Sequence, residues 1–259
     1  MAGGGGRLEG ERAMRMRDDD PVAAALFRAI HLGDVQALQS LCREHPGIAS
    51  ARLEGPRGGA RTPLMVAADW PGFFPNGARV VAVLIAAGAD PNASGEGRAG
   101  EPGQEGPLHW AASSDDAEVA AALIDGGAVI EAPGGSIGTP LANAVGYGCW
   151  QVADLLVARG AKVEPLWVAS ALGMMAAVEG FFAATPPPTP DEIHHAFWQA
   201  CHGGQPRAAA YLLARGADIQ WIPEYAKQTA LGTARDGRDA GTRWGILADW
   251  LEKQGAKAE

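Results

Sequence analysis

Residues 61–68 read RTPLMVAA, residues 105–112 read EGPLHWAA, and residues 138–145 read GTPLANAV. Each holds Pro-Leu, two further residues, and then a small pair. Downstream of each comes an apolar run that closes near Gly-Ala: VVAVLIAAGAD to Asp90, VAAALIDGGAV to Val129, and VADLLVARGAK to Lys162. Counting from Thr139 as zero, Leu141 stands at two, Ala144 and Val145 at five and six, Gly148 at nine, Leu156 at seventeen and Gly160 at twenty-one. Positions two, five, six and nine fall within one arc at about 100° per residue, so they mark the buried face of a short helix. Small residues at five and six let a second helix approach closely. A glycine near nine separates the two helices, and one near twenty-one ends the second, where a left-handed cap favours it.

The same ruler finds fainter copies. Repeats start near residues 24, 62, 106, 139, 164, 195 and 229, spaced between 25 and 44 residues apart. A lone helical hairpin cannot bury its own face, so such repeats must stack into a quasi-one-dimensional array. The expected fold is all-α, a solenoid of about seven helix-turn-helix units with short hairpin fingers over residues 20–259. Residues 1–19 are Gly-rich and then charged, and they read as a disordered tail. Asp20-Pro21 and Thr189-Pro190-Asp191-Glu192 carry helix-start signals.

Thr62-Pro63-Leu64, Pro107-Leu108-His109 and Thr139-Pro140-Leu141, together with Gly-Ala-Asp at Gly88 and Gly216, resemble the ankyrin-repeat family. The resemblance covers about residues 21–256. It departs from the family at the start near Ala24, which lacks Pro, and at the repeat from Glu164, which lacks the terminal Gly-Ala. The resemblance implies that the exposed stripe of the first helices, with the fingers, looks onto a concave groove where partners bind. It also implies that His109, at the His of the TPLH motif, makes a structural hydrogen bond.

Along that stripe the sequence places Asp69 and Trp70, Trp110, Tyr147, then His202, with His109, Trp167 and Trp198 at its edge. An ordinary solvated face would carry Lys, Glu and Arg. Aromatic rings bury much area at low entropic cost, as interface anchors do. The leading expectation is therefore a binding module whose groove of Trp70, Trp110, Tyr147, Trp167 and Trp198, with His109, Asp69 and His202, takes a protein segment or an apolar small molecule. The alternative is a small-molecule enzyme or carrier in which Asp69 and His202 move protons. Adjacent His194-His195 is expected to face solvent, since ligands on one helical face want a spacing of three or four.

Composition narrows the class further. The chain has 259 residues, 47% of them hydrophobic, and a formal net charge of -9. That balance, with scattered Arg, points away from nucleic acid. No apolar run reaches the length of a membrane span. Cys42, Cys149 and Cys201 are odd in number and far apart, so neither a disulfide framework nor a metal site is expected, and the compartment implied is the cytoplasm. No phosphate-cradling glycine loop or nucleophile elbow is seen, and no cofactor is expected. Two linkers stand out. Residues 92–104 form a polar finger, whereas Trp70-Pro71-Gly72-Phe73-Phe74-Pro75-Asn76 is strongly apolar where a two-residue polar turn would do, and is a candidate for self-association.

Overall fold

A computed structural model describes residues 13–56, 58–97, 105–236 and 242–258 of the chain. The fold is mostly helical, with fourteen α-helices among the described residues. The contacts divide the chain into an N-terminal unit, residues 1–140, and a C-terminal unit, residues 141–259.

In the N-terminal unit the helices are α1 (Pro21–His31), α2 (Val35–Glu44), α3 (Pro63–Ala67), α4 (Gly77–Ala86), α5 (Pro107–Ser114) and α6 (Ala117–Asp125). Pro at the first turn starts α1, α3 and α5, because its missing N–H is one that a helix start leaves unpaired anyway. Asp20 caps α1 by accepting from the Val22 and Ala23 amides, and Thr62 caps α3 by accepting from the Met65 amide. Within each pair the two helices pack together. The first helices then pack on one another, α1 on α3 and α3 on α5, as do the second helices, α2 on α4 and α4 on α6. Ala67, Ala68, Ala111 and Ala112, the small residues of the motif, are buried between these layers beside Leu64, Leu84, Leu108 and Leu123.

A small sheet is added to the helices. β1 (Arg15–Arg17) pairs in parallel with β2 (Arg52–Glu54), which pairs antiparallel with β3 (Ala60–Arg61). This corrects the expected disordered tail over residues 1–19 at its C-terminal end. Residues 1–12 lie outside the described residues, but Arg15 bridges Glu54 at 2.7 Å and Glu96 at 2.9 Å. The charges that read as a solvated tail are thus partners for carboxylates far along the chain. Arg15 and Arg52 hold the Glu96 carboxyl below the usual carboxylate range, chiefly through the Arg15 hydrogen bond. Of the expected polar finger, residues 98–104 lie outside the described residues. Asn92 links forward by donating to the Gly127 carbonyl and accepting from the Val129 amide.

In the C-terminal unit the helices are α7 (Pro140–Tyr147), α8 (Trp150–Ala158), α9 (Leu166–Ala171), α10 (Met175–Ala183), α11 (Pro190–His202), α12 (Pro206–Leu213), α13 (Ala230–Arg235) and α14 (Arg243–Lys253). The two-layer order recurs: α9 packs on α11 and α11 on α13, while α10 packs on α12 and α12 on α14. Phe197, Leu212, Leu231, Leu247 and Leu251 are almost wholly buried with Ala169, Ala200 and Cys201. The α9–α11 approach is close because Gly203 has no side chain. A Cβ there would lie 1.9 Å from the Ala171 carbonyl oxygen. Thr189 and Glu192 close a reciprocal capping box at the start of α11.

Candidate functional site

In the N-terminal unit, Asp69 and Trp70 do not continue a helical stripe. α3 stops at Ala67, because Pro71 disfavours helical backbone at Trp70 and Gly72 turns the chain with φ +74°. Asp69 is occupied on both oxygens: Oδ2 accepts from Arg61 Nη1 at 2.9 Å and Oδ1 from the Trp70 amide at 2.8 Å. Arg61 also stands over the Phe27 ring at 5.0 Å. Trp70 is 78% exposed. Trp110 is half-buried on α5. His109 is buried, accepting from the Gly106 amide at Nδ1 and donating from Nε2 to the Gly138 carbonyl, each at 3.2 Å. Burial, outweighing Glu105 and the carbonyls, holds its pKa below the ordinary value, so the imidazole is neutral in a fixed tautomer.

In the C-terminal unit, Tyr147 ends α7 and is 54% exposed. Trp167 is half-buried on α9, its ring 5.6 Å from that of His195. Trp198 departs from the expectation of an open groove position. It is buried, its indole N–H donates to the Gln228 carbonyl at 3.0 Å, and its ring stacks on His202 at 5.5 Å and 17°. The physical reason is the finger between α12 and α13, which folds back over α11. His202 lies with its ring 5.3 Å from Trp150 and its Nδ1 3.4 Å from the Thr233 hydroxyl. Asp69 therefore belongs to one unit and His202 to the other, each engaged by neighbours of its own.

The same finger supplies residues that the sequence reading passed over. Trp221 and Tyr225 converge on His195, with ring centres 6.0 and 5.8 Å away. Contrary to the expectation that it faces solvent, His195 is half-buried among aromatic rings. Burial lowers its pKa and raises that of the Tyr225 phenol. His195 Nε2 and the Tyr225 hydroxyl share a hydrogen bond of 2.6 Å, while Gln199 Nε2 donates to the same phenol oxygen at 2.9 Å. His194 Nδ1 accepts from the Asp218 amide at 3.0 Å, pinning the start of the finger. The one signal in sequence was the spacing of Trp221 and Tyr225 by four residues in a finger that the repeat pattern would have left polar.

Tyr225 is kept as a phenol, and burial likewise pushes up the Cys201 and Cys42 thiols. Among the described residues, no group of three or more His, Cys, Asp or Glu is placed to hold a metal ion. No helix among them is long and apolar enough to cross a membrane.

The ankyrin-repeat family model matches residues 61–96 and 105–134. No curated protein matches the chain. With Pro-started first helices, small residues where the paired helices meet, and a buried motif histidine bonding back to its own helix start, these two segments are ankyrin repeats.

Proposed function

We propose that the chain is an interaction module of about seven ankyrin repeats whose first helices and fingers present an aromatic, sparsely charged face to a segment of another protein. Ankyrin repeats generally mediate protein–protein interaction. The observation that carries the reading is the aromatic assembly of the C-terminal unit. Trp167 and Trp221 are half-buried and Tyr225 is 65% exposed around a neutral His195, so ring edges stay available while the Tyr225 hydroxyl is already hydrogen-bonded. Such rings lose little entropy on binding and dominate interface energetics. Tyr147, on the same unit and 54% exposed, extends the reading to a neighbouring repeat. The three cysteines are free thiols, which supports a reducing compartment, the cytoplasm.

The test is selection from a random peptide library on the immobilised full chain. Selected peptides are expected to bind at least ~10-fold more weakly to Trp167→Ala or Tyr225→Ala, an effect typical of a hot-spot ring. Peptides whose affinity is unchanged by Trp110→Ala, Tyr147→Ala, Trp167→Ala and Tyr225→Ala would show that binding uses another face.

A further inference from the structure

The loop Trp70–Asn76 between α3 and α4 is braced at every step. Gly72 donates its amide to the Asp69 carbonyl at 2.8 Å and lies so near Ser114 that a Cβ would come within 3.1 Å of that side chain. The Phe73 amide donates to Asp116 Oδ2 at 2.7 Å, and Asp116 also caps α6 through the Val119 amide. Phe74 stacks on His31 at 4.5 Å and 27°. Asn76 donates to the Gly33 carbonyl at 3.0 Å, and a Cβ on Gly33 would lie 1.8 Å from the Pro75 carbonyl oxygen. The loop is thus fixed against the repeat before it and the repeat after it.

This bracing holds two large rings outward. Trp70 is 78% and Phe73 62% exposed, and Pro71 and Pro75 in the same loop are also exposed. Phe73 has φ +56°, in the left-handed region that a bulky residue rarely enters. Strain of that kind persists only where surrounding contacts impose it. Here the ring receives little packing from its own chain in return. Residues 70–78 carry no charge, whereas the chain as a whole carries -9. Against a second equally acidic copy, the loop itself therefore adds no charge repulsion.

We propose that the loop is a self-association element. Two copies meet here about a two-fold axis, with Trp70 of one copy against Phe73 of the other and the reciprocal contact beside it. An isologous contact of this type needs only one self-complementary patch, and offset or edge-to-face ring packing suits its components. The exposed parts of these rings and prolines, counted on both copies, amount to on the order of 1,000 Å², at the lower edge of specific interfaces. The dimer is therefore weak, with Kd in roughly the micromolar range. This inference is independent of the peptide-binding face, which is argued from the C-terminal unit.

Sedimentation equilibrium of the full chain from about 5 to 200 µM spans such affinities. The apparent mass is expected to rise from 26.7 kDa toward twice that value with concentration. Raising salt from about 0.05 to 0.5 M shortens the Debye length roughly threefold and should strengthen the dimer by screening its like charges. Trp70→Ala and Phe73→Asn should each raise Kd at least ~10-fold. Asn tolerates the left-handed backbone, so Phe73→Asn removes the ring while keeping the loop, with an unchanged circular-dichroism spectrum. If either variant unfolds, hydrogen exchange of the wild type decides the matter, with concentration-dependent protection expected at residues 70–76. A chain that stays monomeric at all concentrations overturns the proposal, including one that instead binds neutral lipid vesicles or another protein through this loop. A dimer indifferent to both folded variants, or protection arising elsewhere, does so equally.

Discussion

His109 shows how one side chain converts a motif into a structural constraint. Its Nδ1 takes the Gly106 amide at the start of its own helix, and its Nε2–H reaches the Gly138 carbonyl, which belongs to the approach to the next repeat. His109→Ala would leave both backbone groups without these partners. At about 1–3 kcal/mol for each unsatisfied buried group, the expected loss is about 2–6 kcal/mol. Protonation attacks the same bonds, since a proton on Nδ1 would face the Gly106 N–H donor to donor. The pKa of His109 is lowered by burial, as are those of His31 and His195. The folded state therefore binds fewer protons than the unfolded chain. Stability is fully present above the ordinary histidine value of 6.5 and is lost as pH falls through it toward the lowered folded values. Urea midpoints at about pH 8 and pH 5.5, either side of that value, should show the wild type losing stability at acid pH and His109→Ala losing less. Equal slopes for the two would mean that His109 is not among the groups responsible.

At the level of elements, the finger over residues 218–229 is ordered by a few polar contacts with α11 and not by a sheet of its own. Tyr225→Phe keeps the ring and removes the hydroxyl that joins His195 to Gln199. Gln199 is buried, and Nε2 would lose its acceptor, so the docked finger should weaken by about 1–3 kcal/mol. Hydrogen–deuterium exchange is the appropriate measure. Amides of residues 219–229 should exchange faster while those of α12 and α14 stay protected, and unchanged exchange in the finger would deny the hydroxyl this role. This contact also marks the limit of what sequence can convey. Pro63, Pro107 and Pro140, with the small pairs after them, announce helices through local chemistry, so helical content was legible. The burial of Trp198 was not, because it depends on Gln228, thirty residues away, turning back over it. The pairing of Arg15 with Glu54 and Glu96 was hidden in the same way, since charges in a tail look solvated until their partners are placed. Asp69 and Trp70 fell off the helical stripe for a more local reason: Pro71 and Gly72 end the helix early, which the repeat ruler alone overlooks.

At the scale of the whole molecule, the contacts join neighbouring helices within each unit, and each unit has buried residues of its own. An array of this kind has a stability that is roughly a sum over repeats and their nearest interfaces. A lesion in one interface should then be felt there first. Gly203 is the place to make it, because the obstacle to a Cβ is the Ala171 backbone, which cannot rotate away as a side chain would. Gly203→Ala should push α9 from α11 at a cost of about 3 kcal/mol, the upper range for forced overpacking. Followed by hydrogen exchange across a urea series, residues 141–236 of the variant should lose protection at lower denaturant than residues 13–97, whose helices make none of their described contacts through Gly203. The wild type should show the two transitions closer together. If instead both units of the variant lost protection at one shared midpoint, the chain would unfold as a single cooperative block, and its repeats could not be treated as separable increments of stability.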